Sequence, residues 1–259
     1  MIRRPPRSTL DRSSAASDVY KRQTMLSGNI LKPKGISQIW NAVSSNEDVE
    51  IYDRDFKTKL ETLYFLRQQV KKETSEETYF SLADFISNSE SDSDILGAFV
   101  VTSGHEVDKY AATFEDKGDE YTSIIVKALG DRIVEACAEY LHKQIRIENG
   151  EDENFSLQQL IKEKYEGSRP AHGYPSCPDH SEKNKIWNLL EVESNIGVSL
   201  TENFALNPAP SICGFYFFHP QSKYFNLGKI NRNQFNAYCN KKEYTKDKLE
   251  SILQNHLVD

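Results

Sequence analysis

Between Gly118 and Glu148 the apolar residues Tyr121, Ile125, Ala128, Leu129, Ile133, Ala136, Cys137, Tyr140 and Leu141 recur at steps of three and four, which predicts one long helix with a single buried stripe. Upstream, Ile36, Trp40, Val43, Val49 and Ile51 alternate partially around the polar turn Ser44–Asp48 and predict two strands. Leu60–Val70 is ambiguous between strand and helix, and Phe80–Asp94 reads as a loop ending in a Ser/Asp run. Ile95–Thr102 is a short apolar strand, after which Ser103-x-x-Glu106 offers a capping box for a following helix. An acidic loop near Glu148–Glu153 leads to a second helix at about Leu157–Tyr165. Asp179 caps a helix from about Ser181 to Asn195, which Gly197 ends. Val198–Ile230 is strand-like but broken by Pro208, Pro210 and Pro220, and helical, charged sequence follows from Asn233. The order strands, helices, strands, helices predicts one α+β domain with a central antiparallel sheet and flanking helices.

One stretch obeys neither period. Arg169-Pro170-Ala171-His172-Gly173-Tyr174-Pro175-Ser176-Cys177-Pro178 packs three prolines and a glycine into ten residues. It must be an extended segment held by its surroundings.

Charge sharpens the organisation. Residues 1–23 carry five Arg and one Lys against two Asp, or +4; with a whole-chain charge of −7 the remainder stands at −11. A body that acidic excludes general nucleic-acid binding, which relies on Lys and Arg to displace phosphate counterions. No run reaches the length of a membrane span, and four scattered cysteines without a CxxC pair read as reduced thiols in a cytoplasmic protein. The segment 1–23 has too few apolar residues for an amphipathic transit helix, and Pro5-Pro6 breaks an early helix. Its wording resembles translated sequencing-adapter read-through. It is expected to lie outside the fold, leaving 24–259 as a domain incomplete at its N-terminus.

Among 12 glycines there is no GxG pair and no GxxxxGK, so Rossmann and P-loop sites are unlikely on sequence grounds. Ser103 sits between strand and helix as an elbow nucleophile would, but Val101 occupies the first glycine position of that motif. Glu135, Glu139 and His142 share a helix face, yet a second Glu-x-x-His pair is missing. His172, Cys177 and His180 lack a partner cluster. We therefore expect no metal, with these side chains solvated or locally paired.

The chemistry of the Arg169 segment suits an amino-acid-bearing nucleoside. Arg169 can fork onto a carboxylate, Gly173 permits close backbone approach, and Tyr174 or Tyr224 can stack on a ring or face a cation. A bland alternative pairs Arg169 with Glu163 or Glu166 and buries the tyrosines.

Arg169-x-x-x-Gly173-Tyr174, followed 55 residues after Arg169 by Tyr224-Phe225 within Ser222-Lys223-Tyr224-Phe225, resembles the ligand signature of the C-terminal activation domain of cobalamin-dependent methionine synthase. Further matching pieces run over more than 200 residues, among them Leu66-Arg67-Gln68-Gln69, Leu82-Ala83-Asp84-Phe85, Glu139-Tyr140-Leu141-His142 and Leu200-Thr201-Glu202. Departures are local: His172 stands where that family often has proline, and Pro210 and Cys213 replace smaller residues.

The resemblance implies a shallow S-adenosylmethionine site formed by the Arg169 segment and a Tyr224 strand. Arg169 would hold the carboxylate, Ala171, Gly173 and Tyr174 the adenosyl part, and Tyr224 and Phe225 the methyl-bearing end. Glu135 and Glu163 match auxiliary acidic positions. The family's acidic partner for the ligand ammonium lies upstream of Leu26, in sequence replaced here.

The implied function is reductive methylation of inactive cob(II)alamin to methylcobalamin in methionine biosynthesis, with no catalytic residue from this domain and no turnover by the isolated fragment. The implied cofactors are S-adenosylmethionine and cobalamin, the latter held mainly by another domain. The implied partners are that cobalamin-binding domain and flavodoxin or a flavodoxin-like reductase, with neither nucleic acid nor membrane. An alternative of a different class is a non-catalytic interaction module that kept the fold and lost the ligand.

Overall fold

Strand β4 (Asp94–Thr102) explains why the apolar run at 95–102 does not alternate: both of its faces are covered. Leu96, Ala98 and Val100 point into one core, and Phe99 and Val101 into another. In the computed structural model, which describes residues 23–25, 27–70, 78–89, 94–150 and 154–258, β4 sits inside a five-stranded sheet with order β3-β2-β1-β4-β7. Its partners are β1 (Lys34–Ser45), β2 (Asp48–Tyr52), β3 (Lys59–Tyr64) and β7 (Ser211–Phe217), and every pairing is antiparallel. The polar turn between β1 and β2 places Ser45 opposite Asp48, and Asn46 supplies the positive φ of 57° that the tight reversal needs.

Helices cover the two faces. Helix α1 (Glu106–Glu115) and the 29-residue α2 (Glu120–Glu148) form a hairpin, with Val107, Ala111 and Val126 between them. Further along α2, Val134, Ala138 and Ile145 pack on Phe99, Val101 and Tyr216 of the sheet. The short α3 (Leu157–Ile161) follows. On the opposite face, α4 (Lys183–Leu190) and α5 (Val192–Ile196) bring Ile186, Trp187, Leu190 and Val192 against Trp40, Ala98 and Phe215. The two-residue strands β5 (Ser199–Leu200) and β6 (Leu206–Asn207) pair with each other. Helices α6 (Arg232–Cys239) and α7 (Lys246–Leu253), capped by Asn231 and Thr245, enclose a satellite core of Leu227, Ile230, Phe235, Leu249 and Leu253. The single α+β domain with an antiparallel sheet is thus the observed architecture.

Several boundaries differ from the sequence expectation. Ser103 is not an N-cap. Gly104 turns the chain at φ +97°, the helix begins at Glu106, and Ser103 is buried with its backbone N–H donating to Pro210 O. The helix expected over 181–195 is interrupted at Glu191, which adopts φ +46°. Asp179 caps a 3₁₀ turn, His180–Glu182, that precedes α4. The helix expected at 157–165 stops after Ile161, because Leu157 and Ile161 are exposed rather than buried and Glu163 takes φ +47°. Phe80–Asp94 contains a 3₁₀ turn, Leu82–Phe85, closed by a Ser81–Asp84 capping box. The expectations for residues 1–22, for most of the Ser/Asp run at 90–93 and for the acidic loop at 151–153 lie outside the described residues.

The C-terminal unit is fastened by a buried ion cluster. Lys242, its side chain 2% exposed, donates to Asp179 Oδ2 at 2.9 Å and also contacts Glu182. Tyr238 donates to the same Asp179 oxygen at 2.6 Å. Asp179 is buried, which by itself would raise its pKa, but Lys242 and Tyr238 reverse the direction and hold it below the usual carboxylate range. Lys242→Ala leaves the buried Asp179 without a cation, Glu182 keeping Lys185 at 3.3 Å, and is expected to cost about 3–5 kcal/mol of stability in urea denaturation; a loss below about 1 kcal/mol would contradict the buried network.

Candidate functional site

The Arg169 segment is held as an irregular sixth strand on the outer edge of β7. Ser168 and Phe217 exchange N–H···O bonds of 2.9 and 3.0 Å, Phe215 N–H donates to Pro170 O at 3.0 Å, and Ala171 bridges Gly214. Pro170 lacks an N–H, which confines it to an edge. Gly214 makes the approach possible, since a Cβ there would lie 2.6 Å from Pro170 O. Beyond Ala171 the chain folds into a tight loop, with Gly173 N–H donating to Cys177 O at 2.8 Å and Cys177 N–H to Tyr174 O at 2.9 Å.

Arg169 thereby lands against α2. Its Nη1 donates to Glu139 Oε2 at 2.8 Å and lies 3.5 Å from His142 Nδ1, while its backbone N–H donates to the Tyr224 hydroxyl at 3.0 Å. Neither Glu163 nor Glu166 is its partner, contrary to the bland sequence alternative; helical spacing puts Glu139 and His142 on the face that Arg169 meets. Below this pair the side chains are closely stacked. The His142 ring lies on Tyr216 (centroids 4.7 Å, 4° between planes), and Tyr216 lies on Phe99 (4.7 Å, 13°). Tyr165 meets His142 edge-on, and the fully buried Arg146 guanidinium sits 3.7 Å from the Tyr165 ring centroid.

Burial, followed by the charges of Arg146 and Arg169, drives the His142 pKa down to about 2, so the imidazole is neutral. Burial works against the Arg169 charge, but Glu139 outweighs it and the guanidinium stays protonated. The largely buried Arg169 guanidinium, with only Nη1 engaged by Glu139 and His142, can take an added carboxylate.

Above it opens a cavity of about 800 Å³, the size of a small-molecule site. Arg169, Ala171, Tyr174, Tyr224, Glu135 and Glu163 all line it. Glu139, Phe99, Ile212 and the apolar residues Leu157, Leu160 and Ile161 of α3 complete much of the wall.

Two expected residues are placed elsewhere. Gly173 does not line the cavity: it has φ +90°, and a Cβ there would meet the His180 ring at 2.3 Å, so its glycine serves the loop's own packing. Phe225 turns away from Tyr224 and packs on Phe80 with centroids 6.0 Å apart, joining the core. Nor is Tyr224 on a strand, since β7 ends at Phe217. The residues beneath the site, Glu139, His142, Arg146, Tyr165 and Tyr216, were not assigned to it from sequence, although the shared helix face of Glu139 and His142 was the available signal. Among the described residues there is no group of three potential ligands that could hold a metal ion.

The fold and cavity define a single-domain α+β small-molecule binder whose site lies between a long helix and an irregular edge strand. Residues 11–243 match the family model described as "Vitamin B12 dependent methionine synthase, activation domain", and the chain belongs to that family. The match begins inside the segment that the sequence reading set aside. A solved structure described as the "Crystal Structure of the MetH Reactivation Domain bound to AdoHcy" is similar over 100% of this chain and 83% of that one, with 37% identity and a TM-score of 0.88. Methionine synthase is a methyltransferase, and this chain is its activation domain. No helix among the described residues is long and apolar enough to cross a membrane.

Two predictions follow from this geometry. Gly214→Ala pushes the Arg169 segment off β7 and is expected to destabilise the domain by about 1–3 kcal/mol, with faster amide exchange at Phe215 and Phe217; unchanged exchange would contradict the edge pairing. His142 and the buried His172, whose pKa burial and Lys183 depress to about 3, are neutral when folded but protonate near 6.5 when unfolded. The unfolded chain binds more protons below that value, so stability is complete above pH 6.5 and is lost as pH falls, by up to about 1.4 kcal/mol per pH unit for each histidine. A flat chemical-denaturation profile between pH 7 and 5 would refute it.

Proposed function

We propose that the cavity over Arg169 binds S-adenosylmethionine and that the domain supports reductive methylation of inactive cob(II)alamin. The observation that carries this reading is the convergence of Arg169, Ala171, Tyr174, Tyr224, Glu135 and Glu163 on one cavity, with the Arg169 guanidinium largely buried in its wall. A similar domain, 37% identical, has been solved with AdoHcy bound, the product that remains when the methyl group has left.

The residues fit such a ligand part by part. Arg169 accepts the carboxylate on donors that Glu139 leaves free. The aromatic and aliphatic lining from Phe99, Ile212, Leu160 and Tyr224 suits the adenosyl body. Glu135 and Glu163 place negative charge along the wall, which favours a sulfonium cation. S-Adenosylmethionine supplies the transferable methyl group, cobalamin accepts it on another domain, and an electron comes from flavodoxin or a flavodoxin-like protein. The work of this chain is to bind, orient and exclude water.

Docking of a partner over the mouth has a physical basis in the rim. Tyr140, Leu157, Ile161 and Tyr174 line the cavity yet are each more than 60% exposed, an apolar border suited to the cobalamin-binding domain. Gly173 and Phe225 lie outside the cavity wall, against His180 and Phe80.

Titration calorimetry of the chain with S-adenosylmethionine tests the assignment. Arg169→Ala removes a partly buried charge partner and is expected to weaken binding by about 2–4 kcal/mol, a loss of roughly 30-fold or more. Unchanged affinity in that variant would overturn the site.

A further inference from the structure

The outer side of β3 carries no strand among the described residues, yet its backbone is not open. Thr62 and Tyr64 turn their N–H and C=O groups away from β2, and side chains meet all four. Thr62 N–H donates to Glu61 Oε1 at 2.8 Å, and Thr62 O accepts from Lys185 Nζ. Tyr64 N–H donates to Glu182 Oε2 at 3.1 Å, and Tyr64 O lies 3.4 Å from the Tyr238 hydroxyl, which donates to Asp179. Just past the strand, Arg67 N–H donates to Gln234 Oε1 at 2.7 Å while Arg67 O accepts from Gln234 Nε2 at 3.0 Å. One carboxamide thus makes both bonds that a neighbouring strand would offer.

Left open, this edge would invite pairing. Leu60-Glu61-Thr62-Leu63-Tyr64-Phe65-Leu66 holds one charge, no proline and no glycine, and is rich in apolar, β-branched and aromatic residues, the composition that stacks on copies of itself. The other end of the sheet is covered by backbone, the Ser168–Ala171 segment on β7. Covering β3 with another strand would only move the exposed edge outward, whereas a side chain satisfies a backbone group and presents no new edge. The covering groups are also fixed in place: Glu182 and Tyr238 are buried, and Glu182 contacts both Lys242 and Lys185.

We propose that Glu61, Glu182, Lys185, Tyr238 and Gln234 form an edge cap that keeps a second copy of this chain from adding its own β3 to the sheet. The cap is thinnest at Gln234. Beside it lies a cavity of about 460 Å³, bordered by Phe65, Arg67, Gln69 and Lys241. Once the carboxamide is gone, an incoming strand finds both backbone groups of Arg67 free and room to reach them. Lys185 is the second point of entry, since its ammonium takes up Thr62 O.

The test compares the unaltered chain with Gln234→Ala, Lys185→Met and their combination in sedimentation velocity over a series of concentrations. Lys185→Met nearly keeps the length of the side chain and removes its donor. The double variant is expected to self-associate at least about tenfold more tightly than the unaltered chain. Amide exchange locates the contact: the Arg67 N–H, slow in the unaltered chain, should exchange fast in the dilute double variant and regain protection as concentration rises. Val134→Ala, which opens a cavity in the core under α2 on the other face of the sheet, controls for loss of stability and should associate no more than the unaltered chain. A double variant with native near-ultraviolet dichroism that does not associate overturns the proposal, as does association matched by Val134→Ala or unaccompanied by protection at Arg67. Should the double variant fail to fold, Gln234→Ala decides alone by the same readouts, because it leaves the bonds to Thr62 and Tyr64 in place.

Discussion

Strand β7 hydrogen-bonds along both edges, to β4 on one side and to Ser168–Ala171 on the other, and the position of Arg169, Pro170 and Ala171 in the cavity wall follows from that second pairing. An edge strand would normally leave a row of unpaired backbone groups. Here the chain returns from α3 and covers part of that edge with residues that cannot extend the ladder, because Pro170 has no N–H to give. The pairing is therefore short, and its brevity is useful: after three residues the segment is free to turn, while Arg169 is already fixed over α2. The close approach at Gly214 and the positive φ of Gly167, where a Cβ would lie 2.6 Å from Phe217 O, are two conditions on the same contact.

The consequence for packing is a division of labour between the two sides of β7. Cys213, Phe215 and Phe217 face the core under α4 and α5, while Ile212 and Tyr216 face α2. Tyr216 then becomes the middle ring of the Phe99–Tyr216–His142 stack, which joins the sheet to the helix that carries Glu139. Helix and sheet thus hold Glu139 and His142 in place, and Arg169 is confined by its backbone N–H bond to the Tyr224 hydroxyl and its guanidinium bond to Glu139.

Sequence patterning revealed the parts whose environment repeats. The stripe of α2 was legible because one face stays buried through residues such as Val126, Val134 and Ala138, and β4 because both of its faces are covered. The Arg169 segment was legible as an extended piece, since prolines forbid anything else. What was hidden depends on contacts across the chain. Gly173 was read as an opening for ligand, but His180, seven positions on, occupies that space. Phe225 follows a cavity residue in sequence, yet it packs on Phe80, which is far off in the chain. Glu139 and His142 were visible as a pair on one helix face; their partner at Arg169 is 30 residues away, and periodicity carries no information about it.

Neutral His142 between two guanidiniums clarifies why this cluster tolerates so much burial. A protonated imidazole would add positive charge beside Arg169 and Arg146, both of which already depress its pKa. Neutral, it serves as a flat surface for Tyr216 and as an acceptor beside Arg169, so it stabilises one cation without contributing another. The positive charge beside it belongs to the arginines, which do not lose it. A binder assembled this way favours an anion through charge that is invariant with pH across the neutral range, and leaves discrimination among anions to the geometry of the groups around Arg169.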